Sequence, residues 1–226
     1  MTQAAETTEL TLIQRLKAGI WDIHEGVANP AQESSPKSDE DNIMKGTLPR
    51  FKYVNNLKQR YLLQKAFEEV LAAHRDSEPF LNRVVTDEQF HAPKAAEDLR
   101  FFGVDPDTVK SLPATEDMIA FFHATAERDP RLLLSIHYII EGSNNGAMFI
   151  AKAVKKAYDL EGTDGTYHLQ PYGPAIREKW SAFGQAFNTL PIDDALMAKM
   201  IQVGRETFGH MNKVGAESYA QPESAA

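Results

Sequence analysis

From Pro130 to Leu160 the chain is apolar except for one interruption, Gly142-Ser143-Asn144-Asn145-Gly146. Such a segment reads as one long buried helix. A bend is expected in its middle, because glycine lowers helix stability and lets another group come close to the backbone. Gly142 and Gly146 are four residues apart and so share one helix face, where they open a groove for something flat. The same pair could equally serve as a packing notch for a neighbouring helix. Asn144 and Asn145 add polar groups that a purely structural notch does not need.

The rest of the chain is patterned for helices too. Leu12, Ile13, Leu16, Ile20, Ile23 and Val27 recur at three- and four-residue spacing, which predicts a helix from about Glu9 to Val27 with one apolar stripe. His24 follows Ile20 by four residues and Leu16 by eight, which sets it on that stripe. Asn29-Pro30 stops the helix. Residues 30–42 are polar, charged and contain two prolines, the composition of an exposed loop. A second helix is expected over about Pro49–Ala73. Thr86-Asp87-Glu88-Gln89 has the spacing of a capping box, and Thr115 is placed to cap a helix through Arg128. Further helices are expected at about Pro174–Leu190 and Asp193–Ala216. No repeat occurs, and no alternating run is long enough to demand a sheet. The expectation is an all-α chain with a single compact helical domain over residues 9–217. It would lie between a flexible N-terminus (1–8) and a disordered tail (218–226).

There is no cysteine, so thiolate metal sites, iron–sulfur clusters, disulfides and cysteine nucleophiles are excluded together. Any metal has to be held by His, Asp, Glu or a cofactor. The formal net charge of −8, with no Arg/Lys-rich block, argues against nucleic acid as a partner. No uninterrupted apolar run approaches the roughly 18 residues of a membrane span, and the N-terminus lacks the pattern of a secretory signal. The expected location is cytoplasmic, with no membrane partner.

Three sets of residues could carry chemistry. His24 is either a core histidine satisfied by a backbone carbonyl or an axial iron ligand, the usual role of neutral imidazole toward heme. The Gly142–Gly146 segment is either a notch or a binding groove. His137 with Glu141, and Glu206 with His210, are pairs spaced i, i+4 on helices. Helical bundles build metal sites from such pairs, which also arise by chance or on solvated faces.

Taken in order, these features resemble the heme oxygenase family. The run Leu16-Lys-Ala-Gly-Ile-Trp-Asp-Ile-His24-Glu-Gly-Val-Ala-Asn29 is similar to the family's proximal helix, in which a His followed five residues later by Asn marks the axial ligand. Lys45-Gly46, Tyr61 and Ala66-Phe67-Glu68-Glu69 fit its second helix. Leu134–Leu160 is similar to the distal helix without a gap, and Phe187-Asn188-Thr189-Leu190 fits the next. The resemblance implies a heme oxygenase-like fold, with heme held between proximal and distal helices. It implies a reaction in which O2 and a reductase open the porphyrin to biliverdin, CO and iron. Carried over by position, His24 is the axial ligand, Gly142 and Gly146 admit the ring, and Lys17 faces the propionates.

Departures fall around catalysis. Ser143 stands where the family has a distal aspartate that orders water; a hydroxyl holds water without the carboxylate's charge. Ser143 or Asn145 would then organise distal water. Ala147 replaces a second glycine, and Ala28 a carboxylate that orients the imidazole. Trp180 and Gly184 take the places of basic propionate clamps, with Arg177 and Lys179 as nearby substitutes. Three readings follow: a divergent heme oxygenase or heme-binding protein; a heme-independent oxidase with two non-heme irons on Glu141, Glu206 and His210; or a non-enzymatic small-molecule carrier of the same fold.

Overall fold

The structure is a computed structural model that describes residues 9–28 and 39–223, with side chains described for residues 9–22 and 42–223. The described residues form nine α-helices joined by turns and short 3-10 segments, with no strand among them. They are α1 (Leu12–Ala28), α2 (Asp39–Lys45), α3 (Arg50–Arg75), α4 (Pro79–Val84), α5 (Ala92–Phe101), α6 (Pro113–Arg128), α7 (Leu133–Tyr158), α8 (Ile176–Asn188) and α9 (Asp194–Ala220). Among the described residues no helix is long and apolar enough to cross a membrane.

The apolar segment that dominates the sequence becomes α7, the central helix. Leu133, Leu134 and Ile136 are fully buried, and His137 and Ile139 nearly so, because the N-terminal half of α7 is covered all round. Phe67 of α3, Phe122 of α6 and Phe187 of α8 are also fully buried in this core. Each such side chain stabilises the fold by about 1.5–3 kcal/mol relative to an exposed one. The helix is continuous across Gly142–Gly146. Within that segment Ser143 donates to the Ile140 carbonyl (2.7 Å) and Asn145 Nδ2 to the Gly142 carbonyl (3.1 Å). Such back-bonding one turn earlier competes with the helix ladder and favours a bend.

Helix α1 lies against α9 along the expected stripe, with Leu16 and Ile20 buried. The approach is close: a β-carbon on Gly19 would stand 2.5 Å from Ile201. Arg205 ties the contact by donating to the Gly19 carbonyl (3.0 Å) and to both Asp22 carboxylate oxygens (2.8 and 2.9 Å). The side chains of Ile23, His24 and Val27 lie outside the described residues.

Two expected caps take another form. Thr86–Gln89 does close with the Thr86 amide donating to Gln89 Oε1 (2.8 Å), but only a 3-10 turn over Asp87–Gln89 follows; the α-helix starts at Ala92. Thr115 is no cap. Helix α6 already begins at Pro113, and the Thr115 hydroxyl donates instead across to Gln59 of α3 (2.8 Å). Glu217 of α9 accepts from the Ala114 amide (2.7 Å), placing a carboxylate at the α6 N-terminus. Helix α9 is capped by Asp193, which accepts from the Leu196 amide, and runs on to Ala220, past the expected end at Ala216. Ser218 and Tyr219 are buried there, and Ser218 accepts from Asn56 of α3 (2.9 Å). Residues 1–8, 30–38 and 224–226 of the expected flexible segments lie outside the described residues, and α2 occupies the end of the expected loop.

Candidate functional site

Helices α3, α7 and α9 enclose a cavity of about 170 Å³. Its wall includes Arg60 and Gln64 of α3, His91 just before α5, Ile140, Ser143 and Asn144 of α7, and Phe208 and Asn212 of α9. Ser143 and Asn212 are exposed, so the cavity opens between α7 and α9. At roughly 10–15 Å³ for each water, the space takes several ordered waters.

The face of α7 at this opening is nearly bare. Ser143 and Gly146 are exposed, and a β-carbon added to Gly146 would meet nothing within 4 Å. Gly142, one turn earlier, faces the indole of Trp180. Trp180 is stacked on Phe183 (ring centroids 5.4 Å apart) and packs on Tyr138 (5.6 Å). An aromatic shelf thus stands where the resemblance leads one to expect basic residues. Beyond Gly146 the strip continues as the exposed Phe149, three residues on.

The remaining expected site residues are dispersed. His24 lies in α1, with its side chain outside the described residues. Lys17 sits over the Trp21 ring, 4.4 Å from its centroid. Arg177 is exposed, and Lys179 pairs with Glu88 at 2.5 Å. Of the two asparagines, it is Asn144, not Asn145, that reaches the cavity wall. Asn144 is buried and its Nδ2 finds no partner in the protein, whereas Asn145 is spent on the Gly142 carbonyl.

The two-iron alternative is not supported. Glu206 accepts from Gln202 (2.9 Å), and His210 stacks on Phe121 (4.7 Å between ring centroids). Glu141 faces a different set of partners altogether. Among the described residues no group of three or more His, Asp or Glu could hold a metal ion. The i, i+4 spacing that suggested these pairs fixes a helix face and says nothing of what that face meets.

What Glu141 meets is a buried polar cluster behind the cavity. Its Oε2 accepts from the Tyr172 hydroxyl (2.7 Å), and its Oε1 lies 3.5 Å from His91 Nε2. Lys94 Nζ is 3.4 Å from the other ring nitrogen of His91. Glu68 of α3 accepts from the amides of His91 and Ala92 and from Gln64, which fixes the turn that carries His91. His137 makes its hydrogen bond to Gln89 (3.0 Å), not to Glu141. Burial pushes the His137 imidazole down to about 4, with Glu141 opposing the shift and His91 adding to it. Burial also lowers the Lys94 ammonium and raises Glu68, and burial together with Glu141 raises the Tyr172 phenol. The cluster draws on segments around residues 68, 91, 141 and 172. No local motif announces His91; the one sequence signal is a glutamate set within an otherwise apolar helix.

The heme oxygenase family model matches residues 11–217 of the chain. Heme oxygenase 2 of the cyanobacterium Synechocystis is 23% identical over 205 residues, covering 87% of this chain and 78% of that protein. The crystal structure of heme oxygenase-1 from Synechocystis in complex with heme is similar with a TM-score of 0.81 at 22% identity, over 92% of each chain. The NO- and CO-bound heme oxygenase from Neisseria meningitidis is similar with a TM-score of 0.68 at 25% identity, over 96% of each chain.

Proposed function

The chain belongs to the heme oxygenase family, and on that premise we propose that it binds heme between α1 and the bare face of α7 and opens the ring to biliverdin, CO and iron. One observation carries this: at Ser143 and Gly146 α7 is exposed, nothing stands over Gly146, and Ser143 borders a cavity of mixed polar and apolar lining. A flat ring can lie against such a face, and the exposed Phe149 prolongs it as apolar surface. The residues therefore fit the group on the α7 side. Heme when bound supplies the iron that takes up oxygen, and its ring is the substrate.

His24 is the residue assigned to the iron. It follows the buried Leu16 and Ile20 at the next helical interval on α1. Lys17 is assigned to a propionate, its ammonium free to leave the Trp21 ring by rotation of a flexible side chain. Of the two cations on α8, Lys179 is engaged by Glu88, so Arg177 is the second carboxylate partner. Ser143 spends its hydrogen on the Ile140 carbonyl, which leaves its oxygen to accept from a cavity water. Electrons for ring opening come from a separate reductase.

The test is to mix the purified protein with hemin, then add ascorbate under air. The expected result is a Soret band that gives way to a bilin spectrum with release of CO. A Soret band that persists through reductant and oxygen would leave heme binding standing and remove the oxygenase activity.

A further inference from the structure

We propose that Glu141, reached through Lys94 and His91, is the proton donor of the cavity and takes over from the carboxylate absent at position 143. This rests on the reaction proposed above, because reducing oxygen during ring opening consumes protons that a buried site has to import.

The relay follows from the chemistry of its atoms. An ammonium has only donors, so Lys94 Nζ at 3.4 Å makes His91 Nδ1 the acceptor and puts the ring hydrogen on Nε2. Nε2 points to Glu141 Oε1 at 3.5 Å, and neither atom has another partner in the protein. His91 and Glu141 are each 4% exposed, so bulk solvent does not compete for the pair. A shift of a few tenths of an ångström turns the gap into a hydrogen bond. Tyr172 is a positioning residue: its hydroxyl holds Oε2 at 2.7 Å, and its ring packs edge-on against His91.

The two ends of the relay have different surroundings. Lys94 is only half-buried and exchanges protons with solvent. His91 lines the cavity, and so does Asn144, which lies one turn after Glu141 on α7 with its Nδ2 unpartnered. In the transfer an N–H bond of Lys94 breaks as Nδ1–H forms, and Nε2–H breaks as Oε1–H forms. The ammonium becomes an amine and the carboxylate a carboxylic acid; no electrons move. Glu141 stands behind the wall that Asn144 lines and gives its proton up to a cavity water that reaches it there; Lys94 regains one from solvent, and His91 returns to its Nε2–H tautomer before the next transfer. Burial weakens the hold of Lys94 on its proton, in the direction the transfer needs. Glu68 on α3, Glu88 before α5, Glu97 on α5 and His137 on α7 are the other titratable groups around the relay.

Two measurements test this on the full chain. In ligand-free protein, 15N shifts of the His91 ring should show hydrogen on Nε2 and none on Nδ1, and Glu141→Gln should move that balance. In hemin-loaded protein, Lys94→Met, His91→Gln and Glu141→Gln should each slow bilin formation roughly tenfold or more at little-changed hemin affinity. Pairs of these substitutions should cost no more than the worse single one, since the groups act in series. Hydrogen found on Nδ1, or bilin formation within twofold of wild type in Lys94→Met and Glu141→Gln, overturns the relay. A wild-type chain without a hemin spectrum overturns the reaction on which it rests.

Discussion

The indole of Trp180 stands 3.4 Å from the point where Gly142 would carry a β-carbon, while the same point on Gly146, one turn along, meets nothing within 4 Å. One glycine is backed by protein and the other by open space. Gly146→Ala should therefore raise stability by about 0.5–1 kcal/mol, the ordinary gain for replacing glycine inside a helix. Gly146→Leu should leave the fold intact and weaken hemin binding by roughly tenfold or more. Thermal melts of the ligand-free chain and hemin titrations separate the two effects; unchanged affinity in Gly146→Leu would place the ring elsewhere.

Ser143 borders the cavity, and Asn144, one turn after Glu141, lines its wall. A carboxylate at position 143 should then substitute for one at 141. Ser143→Asp, introduced into Glu141→Gln, should restore at least part of the lost rate of bilin formation. No recovery, in a protein that still binds hemin, would mean that Glu141 does not act in place of a carboxylate at 143.

Helix α1 depends on Gly19. A methyl group there meets the Ile201 side chain at 2.5 Å, so that side chain or α1 itself has to shift. Gly19→Ala should destabilise the chain by about 1–3 kcal/mol, the usual cost of overpacking. Because α1 carries His24, hemin affinity should fall with it. Shortening the neighbour in Gly19→Ala/Ile201→Ala should recover much of the loss in urea denaturation, and a failure to recover would show that the contact is not what positions α1.

These variants also mark what could be read from residues alone. The register of α1 was legible because Leu16 and Ile20 fall at helical spacing, and α7 because its apolar run leaves no other fold for it. Thr115 misled, since the preceding Pro113 already starts the helix and leaves the hydroxyl to seek Gln59. Glu141 was legible as a special position and given the wrong partners. Its real ones, His91 and Tyr172, come from distant segments, and spacing along one helix carries no information about them. His91 itself gave no signal, because a lone histidine between a turn and a helix looks like any other.

Stability should fall on the acid side through His137. Burial holds its folded-state value at about 4, below the ordinary 6.5, so the unfolded chain binds a proton that the folded one refuses. The contribution is complete above pH 6.5 and shrinks as pH drops toward 4, by up to about 3 kcal/mol. His168 and His210 are lowered in the same direction by burial. His137→Gln, which can keep a bond to Gln89, should flatten the loss of stability between pH 6.5 and 4 in denaturant titrations. A slope unchanged by the substitution would show that His137 is not the group responsible.

The most direct test of the whole account is the absorption spectrum of the hemin complex in wild type and in His24→Ala, with and without added imidazole. An imidazole-ligated heme at position 24 should give a sharp Soret band that the substitution weakens or shifts and that free imidazole restores. A spectrum indifferent to His24→Ala would take the iron away from α1 and contradict the placement of heme between α1 and α7.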